Sequence, residues 1–270
     1  MPPSAAEPDV PTGSGGNDGN DSNDGTGDRR SGRLTPGPAS ARDRLVVVGL
    51  LAVIGVIALS RGAVDEMTIV FLAVLVPSVI LHEVSHGAVA LLFGDDTAKR
   101  AGRLTLNPIP HIDPVGTLIL PAILIIATGI GFGYARPVPV NPGRMRSPRN
   151  HSLVVSLAGP AVNIVLAVIA ALAARWMLSP FSSAGLLARV VISIGLLNAI
   201  LAAFNLIPLP PLDGSAIVER LLPVRLWPAY LRVRPYSMVL ILAAVFLLPD
   251  GLGFVFGPAI GLWESLALGT

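Results

Sequence analysis

His82-Glu83-Val84-Ser85-His86 lies inside the apolar run from Met67 to Phe93. On a helix, residues four apart share a face, so His82 and His86 can both present an imidazole nitrogen to one tetrahedral metal ion. Glu83 follows His82 by one position, about 100° around the helix, where its carboxylate can take a proton from water at the metal's open position. Three ionisable groups in five residues of an apolar helix are costly unless they have partners or a task. Two ligands and a base are thus in hand, and a third ligand must come from another segment at the same depth. At 1.5 Å per residue the two histidines lie about 10–16 Å from the C-terminal end of this run.

The elements that must position these residues are those of a polytopic membrane protein. The 270 residues are 52% hydrophobic and 13% charged, with mean hydropathy +0.70, well outside the range of soluble domains. A formal net charge of +2 gives no reason to expect nucleic acid as a partner. The chain has no cysteine, which excludes disulfides, iron–sulfur clusters and thiolate zinc sites, so any zinc must be held by His and carboxylate.

Residues 1–43 are rich in Pro, Gly, Ser, Asn and Asp and cannot bury enough apolar surface to fold, so they are expected to form a disordered, acidic tail ending in arginines. Residues 44–270 form the expected membrane-embedded domain. Its first span runs from about Leu45 to Ser60, read as uncleaved because no small-residue cleavage site follows it. The second span, Met67–Phe93, carries the histidines and ends at Gly94-Asp95-Asp96. The stretch Gly102–Pro114 alternates apolar and polar residues before three prolines, which suggests a short β-hairpin followed by irregular chain. His111 and Asp113 within it are alternative ligands, although hydrogen bonding inside a loop explains them as well. Further helices are expected over His151–Trp176 and Leu186–Ile207, and a Pro249-Asp250-Gly251 break divides the C-terminal apolar segment into two short pieces.

Val115–Gly133 is nearly long enough to cross, but Pro121, Gly129, Gly131 and Gly133 interrupt it. If it dips in and returns, sixteen of the nineteen basic residues fall on one side: the five from Arg29 to Arg44, then Lys99, Arg100 and Arg103, the four from Arg136 to Arg149, and the four from Arg220 to Arg234. If it crosses, that bias nearly vanishes, against the positive-inside expectation. The re-entrant path also brings Asp213, at the end of Asn205-Leu206-Ile207-Pro208-Leu209-Pro210-Pro211-Leu212-Asp213-Gly214, to the end of the bundle nearer His82 and His86. The fold class is therefore an all-α polytopic membrane protein with about five to six transmembrane helices, a re-entrant hairpin and a short β-hairpin near the active site.

His82-Glu83-Val84-Ser85-His86, Ala158-Gly159-Pro160-Ala161-Val162-Asn163 and the Asn205–Gly214 segment, in this order and each in an apolar run, resemble the site-2 protease family of intramembrane zinc metalloproteases. The resemblance covers roughly Val46–Thr270 and points to the compact prokaryotic branch, with no PDZ domain between the motifs and no CBS pair after them. It implies that His82, His86 and Asp213 bind Zn2+, that Glu83 is the catalytic base, and that Asn205 donates a hydrogen bond near the substrate. The implied activity is that of a zinc metalloendopeptidase in the bacterial plasma membrane, with the N-terminus and the active-site end cytoplasmic. Its implied partner, besides the lipid bilayer, is a membrane-protein substrate such as an anti-sigma-factor-like or other single-span protein.

A spanning helix hides its carbonyls in its own hydrogen bonds, so a substrate must unwind before cleavage. Strand pairing with the stretch around Leu104 and Leu106 is one expected way of holding it extended. Asn163 is a tentative substrate contact, with helix-to-helix hydrogen bonding as the competing role. Two rival functions remain, a zinc transporter or sensor and an inactive homologue that only binds membrane proteins. A transporter needs polar groups across both leaflets, and this sequence has them on one side; an inactive homologue has no need of Glu83.

Overall fold

The structure is a computed structural model that describes residues 66–113, 116–117, 135–177, 185–237, 239–241, 243 and 249–269. The expected N-terminal tail and the span Leu45–Ser60 lie outside the described residues, as does the re-entrant hairpin Val115–Gly133 apart from Gly116 and Thr117. In chain order the α-helices are α1 (Glu66–Leu92), α2 (Thr97–Arg100), α3 (Pro148–Met177), α4 (Leu186–Asn205), α5 (Ser215–Leu221), α6 (Trp227–Val233) and α7 (Pro249–Leu268). Three of them are long and apolar enough to cross a membrane, over Ile69–Leu92, Pro148–Met177 and Leu186–Asn205.

The bundle is inverted relative to a soluble protein. Large apolar side chains face outward, Trp176 at 83% and Phe254 at 84% exposure among them, whereas Ser78, His82, His86, Asn163 and Asn198 are buried. Such a surface is stable only against hydrocarbon. Without a hydrophobic drive between helices, association rests on close packing and internal hydrogen bonds. Alanines supply the packing: Ala167, Ala171 and Ala174 of α3 meet Ala199 of α4 and Trp263 and Ala267 of α7. Gly195 belongs to this seam because any Cβ there would overlap the Trp263 indole, whose Nε1 donates to the Ala167 carbonyl at 2.9 Å. Val70 and Val74 of α1 pack on Leu197 of α4, and Arg189 lies 3.5 Å from Glu66, so α1 and α4 begin at the same end.

α1 stops at Gly94, whose φ of +101° is a left-handed conformation suited to glycine, and Asp95 N–H closes the end by donating to the Ala90 carbonyl at 2.9 Å. Asp95 then becomes a fastener. Its carboxylate accepts from Thr97 N–H at 3.0 Å, from the Thr97 hydroxyl, and from Asn141 N–H at 2.5 Å. Arg144 reaches Asp96 at 2.8 Å. The start of α3 is thereby tied to the end of α1, which makes the two helices antiparallel. Arg136 N–H donates to the His111 carbonyl at 2.9 Å, so the chain leaves and rejoins the described structure at one end of the bundle on either side of 118–134.

The β-hairpin expected within Gly102–Pro114 does not form among the described residues, which are bends and one 3-10 turn, Ile109–His111. The alternation is too short, and Pro108 and Pro110 lack the N–H that a ladder needs. The carbonyls turn instead toward Arg103, whose guanidinium donates to Pro110 O, to Arg136 O at 2.6 Å and to Pro137 O at 3.2 Å. The residues just before Pro249, where the expected break falls, lie outside the described residues, and Pro249–Leu268 forms one continuous helix, α7.

Burial pushes the Asp95 carboxyl up, but the hydrogen bonds from Thr97 and Asn141, with Arg144 nearby, outweigh it and hold the group below its ordinary value of 3.8. A depressed carboxyl stabilises the fold above its unfolded pKa, and that contribution fades as pH falls below about 4. Asp95→Asn should lower the thermal midpoint at neutral pH, and the gap to the unaltered protein should narrow on acidification; a gap constant from neutral to acid pH would show that the charge contributes nothing.

Candidate metal centre

Three elements build the site. α1 carries His82 and His86 one turn apart, α3 presses on their rings, and the connection after α4 returns Asp213 to them. That connection is closed by Gly214 N–H donating to the Asn205 carbonyl at 2.7 Å. A Cβ at Gly214 would collide with the Leu206 and Ile207 backbone, so only glycine permits so tight a return. The Asp213 Oδ2 lies 3.0 Å from His82 Nε2 and 3.4 Å from His86 Nε2, and the ligand atoms of the three residues all lie within 4.8 Å of one another. The two imidazoles meet edge to face with centroids 4.8 Å apart.

The residues fit a metal on their own chemistry. His86 Nδ1 lies 2.7 Å from the Val155 carbonyl, which can only accept, so Nδ1 carries the hydrogen and Nε2 offers a lone pair. The buried Asp213 Oδ2 that faces both imidazoles has no hydrogen-bond donor. One proton could satisfy one nitrogen–oxygen pair and would leave the other unmet, whereas a tetrahedral cation satisfies all three atoms. Two imidazoles and a carboxylate, with a fourth position open, are a donor set that hydrolytic zinc sites use.

α3 approaches through Gly159. A Cβ at this position would lie 2.5 Å from His82 Nε2 and from His86 Nε2. Glycine here is a condition for the ligand pair to occupy its place. Glu83 is half-buried beside the histidines, and its Oε2 accepts from Val138 N–H at 2.8 Å. Val138 belongs to an irregular run, residues 135–141, anchored by Arg103 near one end and by Asp95 at the other. Gly87 has no room for a Cβ because Leu104, Ala98 and Val138 crowd it, which lets this run lie against α1.

The other residues singled out in the sequence lie elsewhere. Asn163 is fully buried on α3 with its Oδ1 2.5 Å from His82 Nδ1, so it faces a candidate metal ligand. Asn205 donates to the Leu201 carbonyl at 3.0 Å within its own helix. His111 lies in its loop with Nε2 3.0 Å from the Thr105 carbonyl, and Asp113 Oδ1 accepts from Gly116 N–H at 2.7 Å, so neither joins the three ligands. Leu104 packs near Gly87, and Leu106 is exposed. Sequence reasoning missed Gly159, Asn198, Arg103 and Asp95 as positioning groups. The Gly159-Pro160 pair in the middle of an apolar helix was the one available sign, since neither residue favours a helix interior.

Apolar outside, with a convergent imidazole and carboxylate triad inside, the bundle defines a membrane protein with an internal metal centre. The sequence profile described as Peptidase family M50 matches residues 175–248. A Bacillus subtilis protein provisionally named zinc metalloprotease YwhC is 40% identical over 186 residues, which is 66% of this chain and 80% of that relative. A Mycobacterium tuberculosis protein, provisionally named zinc metalloprotease Rip2, is 33% identical over 245 residues, 88% of this chain and 90% of the relative. No solved structure matches the chain significantly. The chain belongs to the M50 peptidases, the site-2 protease family, and zinc is its metal.

The unaltered protein purified in detergent should hold about one zinc per chain, and His86→Ala and Asp213→Ala should each lose it. Gly159→Ala should lose most of its zinc with helix content unchanged; full zinc retention would mean that α3 does not crowd the ligands as described.

Proposed function

We propose that this protein is an intramembrane zinc metalloendopeptidase that hydrolyses a peptide bond within or near a transmembrane segment of a membrane-protein substrate. Residues 44–270 are the catalytic domain and residues 1–43 a solvated tail. The observation that carries the proposal is the convergence of His82 Nε2, His86 Nε2 and Asp213 Oδ2 at hydrocarbon depth, with Glu83 next to the first ligand. In this reading His82, His86 and Asp213 hold the zinc. When bound, zinc supplies Lewis acidity that makes water a nucleophile near neutral pH and polarises a carbonyl.

The chain's own residues do the rest. Glu83 takes the proton of the attacking water at Oε1, because Oε2 is held by Val138 N–H, and then passes it to the leaving amine. Asn205 spends one amide hydrogen on Leu201 O and keeps a second for the substrate. A donor well placed on a developing oxyanion contributes on the order of 10²–10³ in rate. The substrate reaches the site locally unwound, since an intact helix offers no free carbonyl. The concentration of basic residues on the side of Lys99, Arg144 and Arg220 supports a reading with the N-terminus and the Asp213 end cytoplasmic. A single-span protein, such as an anti-sigma-factor-like one, fits the role of substrate, which makes the reaction a form of regulated intramembrane proteolysis.

Glu83→Gln should keep its zinc and lose turnover of a single-span substrate in proteoliposomes by on the order of 10²–10⁴. Undiminished activity in that variant, whether zinc transport or partner binding, would overturn the protease reading.

A further inference from the structure

Asn163 and Asn198 are both fully buried in a bundle whose interior is mostly apolar. A buried amide without partners is costly, so each must be satisfied, and it is. Asn198 Nδ2 lies 2.8 Å from the Ile194 carbonyl and 2.9 Å from Ser78 Oγ. Asn163 Nδ2 lies 2.7 Å from Asn198 Oδ1, and Asn163 Oδ1 lies 2.5 Å from His82 Nδ1.

The order of these contacts is not free. The Ile194 carbonyl can only accept, so the Asn198 amide must turn its NH2 toward it and its oxygen toward Asn163. Asn163 must then donate to that oxygen, which leaves its own oxygen for His82. His82 Nδ1 must answer with a hydrogen, and Nε2 is left with the lone pair that faces Asp213 and His86. Every link follows from one backbone acceptor on α4.

We propose that Asn163 and Asn198 are positioning residues that fix the His82 tautomer, presenting Nε2 as a ligand before metal arrives. The proposal rests on the metal-site reading above and adds a role for two residues that touch neither metal nor substrate. His86 needs no such relay because a backbone carbonyl, Val155 O, serves it directly. Groups that orient a ligating histidine typically affect metal affinity by about 10–100-fold.

Two measurements on the full chain in detergent test it. Zinc affinity by chelator competition is compared for Asn163→Leu and Asn163→Asp, alongside thermal stability. Leucine removes the acceptor, whereas aspartate keeps an acceptor for His82 and forfeits the donor to Asn198. Asn163→Leu should bind zinc about 10–100-fold more weakly, and Asn163→Asp should stay within about threefold of the unaltered protein even though its stability falls. Equal losses of affinity in both variants would reduce Asn163 to a helix-packing residue and overturn the proposal. The second measurement is the 15N-histidine spectrum of metal-stripped Asp213→Ala protein at alkaline pH, where imidazoles are neutral and no carboxylate competes for Nε2. His82 protonated on Nδ1 supports the relay, and His82 protonated on Nε2 overturns it. This spectrum needs no metal, so failure of the relay is distinguishable from failure of the zinc reading, which the zinc content of the unaltered protein reports.

Discussion

Buried polar atoms in a membrane bundle need partners from the protein itself, and here that requirement shapes everything near the centre. Two imidazole nitrogens and a carboxylate oxygen converge in a largely buried place where an unmatched lone pair is expensive. The arrangement is tolerable only if a cation sits among them and the far side of each ring is satisfied. The Val155 carbonyl and the Asn163 amide satisfy the far sides. Each belongs to α3, so the helix that brings the second set of partners also sets how close it must come. Gly159 grants that approach, since any larger residue would occupy the ligands' own space.

Metal geometry and helix packing are therefore one constraint. The contacts that orient His82 run from α1 to α3 to α4 and back to Ser78 on α1, so the three long helices share one hydrogen-bonded circuit. Hydrogen bonds between membrane helices are individually worth only about 0.6 kcal/mol on average, which is too little to hold a bundle by themselves. The alanine seam along α3, α4 and α7 supplies the close packing, and the circuit selects the register at which that packing occurs.

Much of this was legible in the sequence because it depended on periodicity or residue type. The spacing of His82 and His86 defines a shared face whatever the fold, and an apolar run long enough to span places that face at depth. Asp213 was legible because the charge bias required its loop to return to the histidine end. The hairpin was misread because Leu104-Thr105-Leu106 offers only three alternating residues, and Arg103 draws the neighbouring carbonyls away from any ladder. The long-range roles of Arg103 and Asp95 could not be read, because the partners that tie them to distant chain, Arg136 O, Pro137 O and Asn141 N–H, are backbone groups with no residue-type label. Asn163 was half legible: its type called for a partner, but nothing local named His82.

The same circuit also grades how far the three ligand side chains are exposed. Asn163 and Asn198, both fully buried, stand behind His82 in the core between α1, α3 and α4. Exposure of the ligand side chains rises from 8% at His82 to 11% at His86 and 19% at Asp213. Of the three side chains Asp213 is the most exposed, and the chain 135–141 lies beside Glu83. The Arg103 and Asp95 clamps, remote from the chemistry, keep that backbone in place and so keep Val138 N–H on the Glu83 carboxylate.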